Sequence, residues 1–273
     1  MSPWKAIDHL MLRVAQAEPL FDALHRDLGL PIGWPLQRAD FATYGWIGVG
    51  NTQIEIWAAA SNCDLPTGCA LPLVLGFALE PNHLETDLGL LQERGLHHRP
   101  PRNFSSPDAH GISRSNFTNS VVEDLSSPGC CVFYCDWAPG APIAPWPRDA
   151  TADNRRALQA AALAARQGGV LGMTGLRRIT LQTPDVPATE RAWRTALDTS
   201  FGPLLLAPDI QLILEAGPRH QISALHIGVR DAAAARAALG DRNWLGAIGD
   251  DGAMRLDHPA CAGLALWMLP EMF

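Results

Sequence analysis

The chain has 273 residues, 47% of them hydrophobic and 18% charged, and a formal net charge of −7. That length holds one large domain or two of ordinary size, and the composition excludes wholesale disorder. The acidic balance, with no clustered Lys/Arg stripe, argues against a nucleic-acid partner. The start "MSPWKAIDHL" lacks the basic and apolar regions of a signal peptide, and no apolar run reaches the ~18 residues of a membrane span, so a cytoplasmic protein with no membrane partner is expected.

The first strand-like run is "AIDHLMLRV", residues 6–14, with one imidazole, His9, in a mostly apolar setting. His9 is either a packed, hydrogen-bonded core residue or the first ligand of a metal site. A helix follows in "AEPLFDALHRDLGL", where Leu20, Leu24 and Leu28 share one face; Gly29 stops it and Pro31 keeps it stopped. Strands then run to "NTQIEIWAA". They carry Trp34, Phe41, Tyr44, Trp46 and Trp57, and period-2 alternation puts Trp57 on the strand face of Glu55. An aromatic wall beside a carboxylate suits a flat or apolar ligand; core packing is the alternative. A carboxylate between Ile54 and Ile56 is expensive to bury unpaired, so Glu55 needs a metal or a base such as Arg13 beside it.

A second strand–helix unit begins at "LPLVLGFALE". Its helix, "NHLETDLGLLQERGL", has Leu84, Leu88 and Leu91 on one face, with Asn82 the expected cap and Glu85 its capping-box partner. His97, His98 and Arg99 follow the helix stop, where positive charge is favourable; His110 falls in a loop. The strands "SNFTNSVV" and "CCVFYCDW" close the unit. The latter reads as buried, so Cys130, Cys131 and Cys135 are small hydrophobes, and with Cys63, Cys69 and Cys261 they are expected as free thiols. Asn103 and Asn116 match the glycosylation pattern, which has no meaning in a chain that is not secreted.

Residues 138–150 are Pro-rich and aperiodic, and an Ala-rich helix follows them. The expected organisation is therefore a domain over 1–137, a connection over 138–174 and a second domain over 175–273. The third unit runs "LRRITLQTPDV", then a helix in "PATERAWRTALDT", then "FGPLLLAPDIQLILEAGP". The fourth runs "SALHIGVRD", "AAAARAALGDRNW" and strands ending in "LALWMLPE". The first and fourth units start alike ("DHLMLRV", "LHIGVRD") and end alike ("IEIW", "LALW"). The expectation is an α+β fold of four βαβββ modules, paired into two half-open barrels whose concave faces make small-molecule cups.

On these fragments, with "LGLPIGWP", the sequence resembles the vicinal oxygen chelate superfamily, which includes glyoxalases, bleomycin-resistance proteins and extradiol dioxygenases. The resemblance implies a histidine from a unit's first strand and a glutamate from its last, both facing the cup and holding a divalent metal (Fe, Mn, Ni or Zn) with open positions for a substrate's adjacent oxygens. His9 and Glu55 match those positions. The second unit departs from the pattern. Its first-strand position falls near Leu75 and its last-strand position near Tyr134 or Cys135, leaving Asp136, Cys135 or Asn119 to complete a site. In the C-terminal half Arg178 stands where a histidine is wanted, His226 matches, and the glutamate position is Ala265, so an iron triad is not expected there.

Two functions follow. One is a metal-assisted isomerase, lyase or dioxygenase acting in the N-terminal cup, with His9, Glu55 and Asp136 as metal ligands, Glu55 also catalytic, and Trp46, Trp57, Asn119 and Tyr134 against the substrate. The other is a metal-free protein that binds or sequesters a small molecule. Monomer and homodimer both fit four units in one chain. No phosphate-binding Gly-rich loop and no G-x-S-x-G elbow is present.

Overall fold

The computed structural model describes residues 3–61, 65, 67, 69–146, 150–151 and 154–271; Cys63 lies outside the described residues. The first half contains β1 (Ala6–Arg13), α1 (Ala17–Asp22), β2 (Ile32–Ala39), β3 (Ala42–Gly48), β4 (Gln53–Ala59), β5 (Leu73–Glu80), α2 (Leu84–Glu93), β6 (Arg102–Pro107), β7 (Ser113–Val121) and β8 (Cys131–Trp137). The helix α3 (Arg155–Ala165) connects it to β9 (Met173–Thr183), α4 (Val186–Leu197), β10 (Leu204–Ala207), β11 (Ile210–Ala216), β12 (Gln221–Val229), α5 (Ala232–Asp241), β13 (Leu245–Ile248), β14 (Met254–Leu256) and β15 (Leu266–Pro270).

The α+β class and the paired units are as expected. The first sheet has the order β2-β3-β4-β1-β5-β8-β7-β6, symmetric about the antiparallel β1–β5 seam. The second has the order β10-β11-β9-β12-β15-β14-β13, so the third unit carries two strands after its helix and the fourth carries three. Along β1 the apolar alternation decides the faces. Leu10 and Leu12 turn to the helices, where Leu20, Leu24 and Leu28 are buried, while His9, Met11 and Arg13 turn to the concave side. The helix face of β4 is Ile54 and Ile56, leaving Gln53, Glu55 and Trp57 for the concave face.

The helix caps differ in part from the sequence pattern. α1 ends at Asp22 and continues as a wide π turn over Ala23–Asp27, with Gly29 then left-handed at φ +76°. At α2, Asn82 is not the cap. Asp87, one turn in, accepts from the backbone N–H groups of Asn82 (2.6 Å) and His83 (3.1 Å), which satisfies donors the helix start leaves free. α4 and α5 carry ordinary Asp caps, Asp185 and Asp231, each accepting from the third residue on at 2.9 Å.

One apolar core runs through both halves. Trp193 of α4 is fully buried, with its ring 6.4 Å from Trp4 and 6.0 Å from Phe77 of the first sheet. The Trp4 indole donates to the Leu206 carbonyl at 2.8 Å. Asn51 imitates a strand, donating to Leu176 O and accepting from Leu176 N, both at 2.8 Å.

Candidate functional site

The site is built on a bulge. Strand β1 pairs with β5 as Ile7–Leu79 and His9–Ala78, so Asp8 is an extra residue in the ladder. An extra residue lets two successive side chains share a side, and Asp8 and His9 do so. Asp8 Oδ1 lies 2.7 Å from His9 Nδ1. Asp8 is buried, which alone would push its carboxyl up, but His9 and Arg155 hold it below the usual carboxylate range. An ionised carboxylate only accepts, so His9 carries a proton on Nδ1. Nε2 faces Glu55 Oε2 at 3.6 Å.

Glu55 reaches this point because β4 runs parallel to β1, with Met11 opposite Glu55. Burial pushes its carboxyl above the ordinary value, and the Asp8 charge adds to the rise. His9 draws it back, as does the Trp46 indole N–H, although that group meets no acceptor in good geometry. The pair sits in an aromatic frame. The His9 ring is 4.3 Å from Trp46 and 5.8 Å, edge-on, from Phe133. Trp57 stacks on Tyr44 at 5.4 Å further along the same face.

Behind Asp8 lies a buried charge network. Arg155, at the start of α3, places its guanidinium 3.7 Å from Asp8 and 2.5 Å from Glu80. Glu80 also takes Arg156 at 2.7 Å and Lys5 at 3.8 Å. Trp146, from the Pro-rich connection, covers Arg155 at 4.7 Å and meets Trp137 at 4.9 Å.

His9, Glu55, Trp46 and Trp57 therefore come together on the concave face, and Asn119 reaches the same face from β7, beside a neighbouring cavity. Two expected residues do not. On β8 the concave side takes Phe133, Cys135 and Trp137, so alternation sends Tyr134 and Asp136 to the other side. Tyr134 is core there and donates its hydroxyl to Pro3 O at 2.9 Å. Asp136, expected as a metal ligand, lies on that far side, where burial pushes its carboxyl up and the charges of Arg155, His83 and Lys5 draw it partly back. Cys135 faces the cup, but burial and the nearby carboxylates push its thiol well above the usual range.

The symmetry of the sheet shows what the second unit contributes. β5 has its own irregularity at Leu75, as β1 has at Asp8, and the pairs His9–Ala78 and Met11–Gly76 exchange across the seam. Gly76 thus corresponds to His9. Phe133, opposite Ala78, corresponds to Glu55, which is opposite Met11. The positions expected near Leu75 and at Tyr134 or Cys135 each shift by one or two residues, and neither of the resulting side chains can bind a metal. Among the described residues no group of three or more His, Cys, Asp or Glu is placed to hold a metal ion. Two converging donors fall short of a three-ligand protein site.

The second cup is built differently. His226 of β12 lies opposite Arg178 and is stacked 6.0 Å from Trp267. Its Nδ1 is buried without a partner, and burial beside the Arg178 charge pushes its pKa down to about 4, so it is neutral at pH 7. Arg178 is engaged by Asp251 at 2.9 Å.

Several solved structures of very different sequence share this arrangement. The 2,3-dioxygenase LapB from Pseudomonas sp. KL28 matches with a TM-score of 0.59 at 12% identity, over 100% of this chain and 94% of its own. A mutant of 4-hydroxymandelate synthase from Streptomyces coelicolor matches with 0.60 at 11% identity, over 100% and 95%. The Mn(II)-bound glyoxalase from Novosphingobium aromaticivorans matches with 0.56 at 11% identity, over 100% and 84%. This is the vicinal oxygen chelate fold. No family model and no curated protein matches the chain. At such identities the vicinal oxygen chelate fold is what is shared, and the function has to come from the side chains in its cups. No helix among the described residues is long and apolar enough to cross a membrane.

Four functional positions have no clear sequence signal. Asp8 acts through a bulge, Arg155 through a helix beyond the connection, Trp137 by donating to Asp8 at 3.4 Å, and Trp146 from the Pro-rich segment. The residue triplet Asp8-His9 with Arg155 could be suspected only from the cost of burying Asp8 in an apolar strand.

Proposed function

We propose that the N-terminal cup binds a small flat organic molecule without a resident metal, and that His9 and Glu55 exchange a proton with it, as an isomerase or lyase requires. The supporting observation is the buried array Asp8–His9–Glu55 within an aromatic frame. Asp8 orients the ring through Nδ1, His9 Nε2 is the nitrogen left to exchange a proton, and Glu55, which faces it and whose proton affinity is raised by burial, is suited to hold the partner proton. The Tyr44–Trp57 stack supplies a face for a planar group.

A second reading, a divalent ion (Fe, Mn, Ni or Zn) on His9 and Glu55 with solvent filling the shell, is favoured by Asp8. A carboxylate on the far nitrogen is the usual support of a metal-bound imidazole. Metal analysis of protein purified without chelator, in wild type and His9→Ala, separates the two. Near-stoichiometric metal that disappears in His9→Ala establishes the ion and overturns the metal-free reading. The companion assay follows solvent deuterium entering the carbon next to the carbonyl of aryl ketones. Exchange that wild type catalyses and that His9→Ala and Glu55→Gln both lose is the expected result. Binding without exchange leaves a sequestering protein.

A further inference from the structure

Next to the His9–Glu55 pair, toward the second unit, a cavity of about 390 Å³ opens on the same concave face. That is the size range of sites for small organic ligands. Its floor is Met11, Val121 and Phe133, with Phe104 as a wall, and two of these side chains are shared with the catalytic pair. Met11 is opposite Glu55, and Phe133 is edge-on to His9.

The charged groups that line this cavity are of one sign. Arg99 and Arg102 both line it. Arg102 lies 4.9 Å over the Phe104 ring and is paired with no carboxylate among the described residues. Arg99 is tied to Glu123 at 3.2 Å, on an exposed edge where such a pair is weak and exchangeable. Asn119 is opposite Arg102 in the β6–β7 ladder, and its Oδ1 is buried with no hydrogen-bond partner. A buried acceptor without a donor is costly and calls for one from outside. No acidic side chain lines the cavity, in a chain whose net charge is −7. The local field is therefore cationic against an acidic background.

We infer that this cavity is an anion-selecting subsite. It takes an aromatic or similarly flat carboxylate, its ring on Met11, Phe104 and Phe133, its charge on Arg102 and Arg99, and a donor group of the ligand at Asn119. The inference rests on the proposed small-molecule role of this cup but not on proton transfer. Guanidinium geometry suits a carboxylate in a fork.

The probes are 6-hydroxy-2-naphthoate and its neutral N,N-dimethyl amide, both carrying a hydroxyl as the donor for Asn119, titrated by tryptophan fluorescence and by calorimetry. Wild type is expected to bind the acid at least tenfold more tightly than the amide, with the acid alone weakening as salt rises. Arg102→Gln, an exposed change that spares the fold, is expected to cut acid affinity about tenfold and leave the amide unchanged. His9→Ala and Glu55→Gln should keep the preference. Equal affinity for acid and amide in wild type, an unchanged preference in Arg102→Gln, or no saturable binding of either probe overturns the inference. Charge preference without deuterium exchange refutes the proton-transfer role and leaves this subsite standing; exchange on neutral ketones without charge preference does the reverse.

Discussion

Replacing Arg155 by Met removes a buried cation that reaches both Asp8 at 3.7 Å and Glu80 at 2.5 Å. At an effective dielectric of about 20, the Asp8 interaction alone is worth roughly 4–5 kcal/mol before desolvation is counted. Desolvation of the guanidinium, which is 8% exposed, offsets part of that. Breaking a buried pair from one side typically costs about 3–5 kcal/mol. Here Glu80 keeps Arg156 at 2.7 Å and Asp8 keeps His9, so the expected loss is smaller, about 2–4 kcal/mol. For a chain of this size that is a fall of roughly 5–15 °C in Tm. Thermal unfolding followed by circular dichroism at pH 7.5 reads it, with Arg156→Met as the control. Arg156 is 32% exposed, meets no carboxylate but Glu80 among the described residues, and adds only long bonds of 3.4 Å to the Asn51 and Ile7 carbonyls, so its loss should cost about 1 kcal/mol. Equal shifts for the two variants, or an Arg155→Met loss under about 1 kcal/mol, would show that the network does not hold Asp8 as described.

Asp8→Asn should move the His9 proton off Nδ1 in part, seen as altered imidazole ¹⁵N shifts; unchanged shifts would mean that Asp8 does not set the tautomer. The pH dependence has two opposed contributions. Asp8 has a lowered folded pKa, so its contribution is present above the unfolded value of 3.8 and is lost as pH falls through the folded value. Glu55 has a raised folded pKa, so the native state is penalised as pH rises from 4.5 through that higher value, and Glu55→Gln should be the more stable protein at pH 8 with the advantage fading by pH 4.5. A Glu55→Gln variant less stable than wild type at pH 8 would contradict that environment. Trp193→Ala should cost about 3–5 kcal/mol, because it empties the fully buried joint between Trp4 and Phe77, and it should split a single unfolding transition into two.

The convergence of His9 and Glu55 was legible because it depends on two strands whose alternation is unambiguous. Leu10, Leu12, Ile54 and Ile56 mark the buried face, and the polar residues between them have only one other side to occupy. The second unit was not legible to the same precision. A bulge adds one residue without changing composition, so the irregularities at Asp8 and Leu75 move every later side chain in register. On β8 the run Cys131–Trp137 is apolar or aromatic on both faces except for Asp136, so its composition does not mark which parity faces the cup; Tyr134 and Asp136 fall on the far side and Phe133 opposite Ala78. The bonds from Asn82 and His83 back to Asp87 and the place of Arg155 behind Asp8 depend on the paths of loops, which periodicity does not encode. The cationic cavity likewise needs the β6–β7 hairpin to bring Arg102 beside Asn119.

Gly76 carries a consequence for anyone wishing to equip this cup with a third ligand. Its backbone has φ +152°, and a Cβ there would come within 1.8 Å of the Cys131 carbonyl oxygen. The strand itself bars histidine from the spot that mirrors His9, so protein engineering cannot begin there without moving β8. Phe133 offers the open route: it already points at the imidazole from 5.8 Å, and a histidine or glutamate substituted for it would aim at the same hollow from the opposite bank.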